Sequence, residues 1–103
     1  MVLVEDGDLT LDPAERTATR AGRPLRLTAR EYDLLHYLMT HPGEVLSRED
    51  LLREVWGWSF GDDSTVTVHV RRLREKVEDD PGDPVHLVTV WGVGYRWEPT
   101  VAR

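Results

Sequence analysis

The 103 residues carry 13 lysines and arginines against 19 aspartates and glutamates, a formal net charge of -6, and no cysteine. That length suits one domain whose core folds without disulfides or a structural metal, and the missing cysteines exclude a disulfide frame, a thiolate metal site and a thiol nucleophile. No apolar run approaches the roughly 18 residues of a membrane span and the N-terminus lacks a signal peptide's basic and apolar regions, so a soluble, cytoplasmic domain is expected.

Residues 1–27 alternate apolar and polar positions (Val2 and Val4, Leu9 and Leu11, Leu25 and Leu27), with breaks at Asp6-Gly7-Asp8, Asp12-Pro13 and Ala21-Gly22. Period-two runs bounded by turn residues predict a four-stranded antiparallel meander with one buried face. At Thr28 the period changes. Thr28 and Glu31 are spaced as a capping box, and Tyr32, Leu34, Leu35, Leu38 and Met39 recur at helical intervals until Pro42-Gly43. Ser47 opens a second helix with Asp50 in the box position and Leu51, Leu52, Val55 and Trp56 as its apolar stripe. Residues 57–63 form a loop, after which Asp63 or Ser64 caps a third helix.

The third helix, "STVTVHVRRLREK" over residues 64–76, holds Arg71, Arg72, Arg74 and Lys76 against Glu75, so it contributes +3 and the other ninety residues carry -9. On a wheel at about 100° per residue Val66, Val70, Leu73 and Val77 share a narrow arc facing the core. Ser64, Val68, Arg71, Arg72 and Glu75 lie opposite, with Thr67 and Arg74 on one flank and Thr65, His69 and Lys76 on the other. The β-branched run from Thr65 to Val68 makes a strand a competitor, but the caps and the core stripe decide for helix. Residues 86–91 and 95–98 then pair as a hairpin around Gly92-Val93-Gly94.

A solvent-facing helix with arginines at its middle and small polar residues at its start has the composition of a major-groove reader. Arginine reaches guanine or phosphate, Ser and Thr bond base edges or phosphate, and an exposed Val68 suits a thymine methyl. A solvated helix face is the plain alternative; the concentration of positive charge on this one face favours the reader. Tyr32, Tyr37, Trp56 and Trp97 read as core or half-buried residues. His36, His41 and His86 lack metal-ligand spacing, no serine sits in a nucleophile elbow, and Gly92-Val93-Gly94 lacks the third glycine of a dinucleotide site. Neither enzyme activity nor a cofactor is expected. Glu78-Asp79-Asp80, at the end of helix three, is expected to face solvent away from DNA.

Across nearly its whole length the chain resembles the DNA-binding effector domain of OmpR/PhoB-type response regulators. The resemblance rests on "LTAREYDLLHYLMTHPGEVLSREDLLREVWG", "TVTVHVRRLREK" and "TVWGVGYRW", in the family's order and spacing. It implies an α+β fold, a winged helix-turn-helix: an N-terminal four-stranded antiparallel sheet (1–27), a three-helix core (28–78) and a C-terminal β-hairpin wing (86–98), within one domain covering 1–103. It implies DNA contacts by Ser64, Thr65, Thr67, Val68, His69, Arg71, Arg72 and Arg74 in the major groove, by the wing through Trp91 in the minor groove, and backbone positioning by Thr89 and Tyr95. It also implies a polymerase-contact loop (Trp58, Ser59, Phe60, Gly61, Asp62), double-stranded promoter DNA and RNA polymerase as partners, and a chain monomeric alone that binds tandem repeats as a dimer. Nothing in these residues resembles a receiver domain, so an excised effector domain or a shortened protein is expected. Three residues depart from the family pattern. Ser64 stands where arginine is common, Thr67 where an acid is usual, and Trp91 where the wing has arginine. Packing of Trp91 beneath the hairpin is favoured over groove contact. The competing function is a winged-helix module for protein interaction that has lost DNA binding.

Overall fold

The computed structural model describes residues 2–59 and 61–100. Strands β1 (Val4–Asp6), β2 (Leu9–Asp12), β3 (Thr17–Arg20) and β4 (Arg23–Pro24) form the expected antiparallel meander in sequence order. Register pairs Val4 with Leu11 and Leu11 with Ala18, which places Leu9, Leu11 and Ala18 on the buried face. The last strand is shorter than the alternation suggested. It closes with Leu25 N–H donating to the Ala18 carbonyl at 2.9 Å, and Leu25 and Leu27 lie beyond β4, half-buried against the core.

Helix α1 (Ala29–Thr40) starts at the predicted capping box. The Thr28 hydroxyl accepts from Glu31 N–H at 3.2 Å and the Glu31 carboxylate accepts from Thr28 N–H at 3.0 Å. A two-residue strand, β5 (Leu46–Ser47), follows that the sequence reading lacked. Helix α2 (Arg48–Leu51) carries the second capping box, Ser47 with Asp50, and continues as a π-helical turn over Leu52–Trp56 up to Gly57, whose φ is 74°. The predicted single α-helix is thus an α-turn and a π-turn. Leu51, Leu52 and Val55 are nevertheless buried, as the stripe required.

Helix α3 (Ser64–Val77) packs Val66, Val70, Leu73 and Val77 into the core at no more than 1% exposure, so the strand alternative for this stretch falls. Its cap differs from expectation. Neither Asp63 nor Ser64 caps through its side chain; the Asp62 carboxylate accepts from Ser64 N–H at 2.9 Å instead. Strands β6 (Leu87–Val90) and β7 (Gly94–Trp97) make the wing, with β5 adding a third strand in the order β5-β7-β6. Val90 pairs with Gly94, so the turn is Trp91-Gly92-Val93 and Gly94 belongs to the strand. Glycine is needed there: a Cβ would lie 2.0 Å from the Leu46 carbonyl oxygen and 2.8 Å from Ser47 Cα. Leu87, Tyr95 and Trp97 turn inward, and Trp97 joins Leu34, Leu35, Leu38, Leu73 and the meander's leucines in one core.

Two carboxylates tie these layers together. Asp6 accepts from the Trp97 indole N–H at 2.7 Å and from Thr100 N–H at 2.7 Å, joining the first strand to the last. Glu78, expected in a solvent-facing acidic run, is 3% exposed. Its carboxylate accepts from the amides of Val85 (2.9 Å), His86 (3.0 Å) and Leu87 (2.7 Å), so it organises the chain entering β6. A charged acceptor satisfies three amides that would otherwise be unpaired near the core.

Candidate nucleic-acid interface

The outer face of α3 presents Ser64, Thr67, Arg71, Arg72 and Glu75 exposed, with Thr65, Val68 and His69 half-buried beside them. Arg71 and Arg72 have no ion-pair or hydrogen-bond partner among the described residues. The other two basic side chains of the stretch are engaged. Lys76 Nζ reaches inward to Glu31 at 2.6 Å and to the Arg26 carbonyl at 2.6 Å. Glu31 itself is 2% exposed; burial pushes its carboxyl up, but hydrogen bonds from Lys76 and Thr28, with the charges of Lys76 and His69, outweigh that and hold it below the usual carboxylate value.

Arg74 crosses to the wing. Its Nε donates to the Leu87 carbonyl at 2.9 Å and its terminal nitrogen to Thr89 Oγ1 at 2.8 Å, while the guanidinium lies 5.7 Å from the centroid of the Tyr95 ring. Tyr95 is buried, at 6% exposure. Arg74, Thr89 and Tyr95 are therefore one cross-brace that fixes the wing relative to α3. The flexible arms of Arg74 and Lys76 let wheel flank residues fold back onto neighbours, an outcome that periodicity cannot signal.

Near the start of α3, His69 Nδ1 donates to the Thr65 carbonyl at 2.8 Å and its ring meets Trp56 edge-on with centroids 5.0 Å apart. The loop before α3 exposes Trp58, whose ring is tilted against Trp56 at 6.5 Å and lies close to Gly61. Ser59 and Gly61 are exposed. Asp62 caps the helix by accepting from Ser64, and those hydrogen bonds hold its carboxyl below the usual carboxylate value. Phe60 lies outside the described residues.

Trp91 corrects an expectation. It is 90% exposed, not packed beneath the hairpin: the Val90–Gly94 pair is the last rung, and Trp91 sits in the turn beyond it. Sequence reasoning missed Glu78 and Gly94, the groups that set the wing's position. An acid following a helix carries no local signal of a distant amide cluster, and Gly94 reads as a turn residue until β5 is placed beside it.

Three helices with the third exposing a cationic face, followed by a braced hairpin, define a winged helix-turn-helix domain. The family profile described as "Transcriptional regulatory protein, C terminal" matches residues 22–97. The chain belongs to that family, as an OmpR/PhoB-type effector domain. It is 46% identical over 97 residues to the sensory transduction protein RegX3 of Mycolicibacterium smegmatis, covering 93% of this chain and 42% of that protein. It thus spans less than half the length of this curated relative. Among solved structures, the Klebsiella pneumoniae RstA DNA-binding domain in complex with the RstA box superposes at a TM-score of 0.88, with 33% identity over 97% of this chain and 100% of that one. The Thermotoga maritima response regulator DrrB, an OmpR/PhoB homologue, gives 0.84 and 33% identity over 93% of this chain and 44% of its own.

Proposed function

We propose that this domain binds double-stranded promoter DNA in a sequence-specific manner and thereby controls transcription. The observation that carries the reading is the pair Arg71 and Arg72, exposed and unpaired among the described residues, on the outer face of α3 of a chain that is otherwise acidic. In this reading α3 enters the major groove. Arg71 and Arg72 reach base edges or phosphate, Ser64, Thr65, Thr67 and His69 line the helix's approach, and Val68 offers apolar contact. Arg74, Thr89 and Tyr95 position the wing, and Arg74's remaining N–H groups can still meet a phosphate at the seam. Trp91 at the wing tip lies over the adjacent minor groove. Two related proteins support DNA as the partner: RstA was solved with its box, and the AdeR DNA-binding domain with an intercistronic region.

The same reading takes the chain to be one domain over residues 1–103, working in the cytoplasm as part of a two-component regulator with a receiver domain. Two copies would sit on tandem repeats, each monomeric off DNA, and the loop with Trp58, Ser59, Phe60, Gly61 and Asp62 would meet RNA polymerase. Selection of bound duplexes from a random library, followed by titration of the winner across a salt series, tests the central statement. Recovery of one motif with log K falling about 0.9 per phosphate contacted for each decade of salt is expected. No enrichment by the folded protein, with a shallow salt slope for any other partner, points instead to an interaction module.

A further inference from the structure

We infer that the wing holds DNA through an apolar contact, the Trp91 indole packing against the deoxyribose walls of the minor groove; this rests on the DNA-binding reading and adds a second, salt-insensitive hold to it. Trp91 is 90% exposed and Val93 beside it 52%, so the tip presents two apolar side chains to water. Indoles bury a large area when they find a surface, and a tip that lacks one in the free protein has that contact still to make. The tip is held in place. Val93 N–H donates to the Val90 carbonyl at 3.0 Å, Gly92 takes the left-handed φ of 79° that the turn needs, and Arg74 pins β6 to α3. Little conformational freedom is then lost when the indole docks.

Charge argues in the same direction. Between residues 87 and 97 the one cation is Arg96, and it is ion-paired with Glu98. The hairpin therefore has no unpaired cation among the described residues with which to hold a phosphate or enter a negative groove. Trp91 also lines a shallow surface groove together with Arg74, Pro81, Pro84, Val88 and Thr89. A sugar-phosphate strand suits it: phosphate toward the unused N–H groups of Arg74, sugar faces toward the indole.

The test uses the full chain, its selected duplex and a salt series, with Trp91→Ala, Trp91→Phe and Trp91→Arg compared with wild type. Trp91→Ala should melt like wild type, because the side chain touches little, and bind roughly tenfold more weakly by an equal factor at every salt concentration, an effect of apolar area. Trp91→Phe should recover much of the loss, and Trp91→Arg should steepen the salt slope by about 0.9. Unchanged affinity in Trp91→Ala, or a loss that appears only at low salt, overturns the inference. Arg72→Ala run alongside separates the two levels: weakened by Arg72→Ala but not by Trp91→Ala, DNA binding stands and the wing contact falls, whereas a wild type that binds no duplex removes both.

Discussion

Four basic side chains on one helix look interchangeable until their partners are known. Arg71 and Arg72 have no partner among the described residues, Arg74 braces the wing, and Lys76 pairs with Glu31. Substitutions should therefore separate into kinds. Arg72→Ala is expected to weaken specific DNA binding by roughly 1 to 3 kcal/mol while leaving the melting temperature within a degree or so, since nothing in the fold leans on it. Arg74→Ala should lower both affinity and stability, because Leu87 and Thr89 lose their donor and the wing its link to α3. Equal melting temperatures for the two variants would remove the distinction. The wheel placed Arg72 on the outer face and Arg74 on a flank; the identity of Arg74's partners depended on Thr89 and Tyr95, which lie more than a dozen residues away and register through a hairpin whose turn was read one residue late.

At the scale of elements, legibility followed length and periodicity. Helices α1 and α3 were readable because four or more apolar residues repeat at helical spacing in each, and because Thr28 and Glu31 form a capping box that local sequence alone determines. Strand β5 was not, since two residues cannot display a period, and the π-turn at Leu52–Trp56 preserves the burial of an α-helix while changing its hydrogen bonds. The wing depends on what was least visible. Gly94→Ala should destabilise by about 3 kcal/mol or more, as backbone atoms of Leu46 and Ser47 occupy the space of the new Cβ. Glu78→Ala should cost a similar amount by leaving the amides of Val85, His86 and Leu87 without their acceptor, and Glu78→Gln should recover part of it. Urea unfolding measures both, and amide exchange at His86 and Leu87 faster in Glu78→Ala than in wild type locates the damage at the wing entry. Slow exchange retained there would deny Glu78 its role.

Two long-range contacts help close the whole molecule, and both contribute to its response to acid. Asp6 on β1 holds Trp97 on β7, and Glu31 on α1 holds Lys76 on α3. Burial raises the Asp6 carboxyl, but hydrogen bonds from Trp97 and Thr100 and the charge of His86 more than offset it, so both Asp6 and Glu31 titrate below their ordinary values. In the unfolded chain these groups bind protons at a higher pH than in the folded one. On lowering the pH the unfolded state takes up protons first, so stability falls with pH. The contribution is complete above the ordinary carboxylate range, near pH 4 to 5, and is lost as the pH drops through the depressed folded values. A plateau of unfolding free energy at neutral pH with a decline below about pH 4.5 is therefore expected from urea titrations. Asp6→Asn should lower the plateau and flatten the acid limb, because its side chain no longer titrates while the amide oxygen keeps one weaker hydrogen bond to the indole. Glu31→Gln should do likewise at the other closure, and since the two sites share no partner their effects should add. An acid limb in the Asp6→Asn, Glu31→Gln double variant as steep as in wild type would assign acid sensitivity to other carboxylates among the 19 acidic residues.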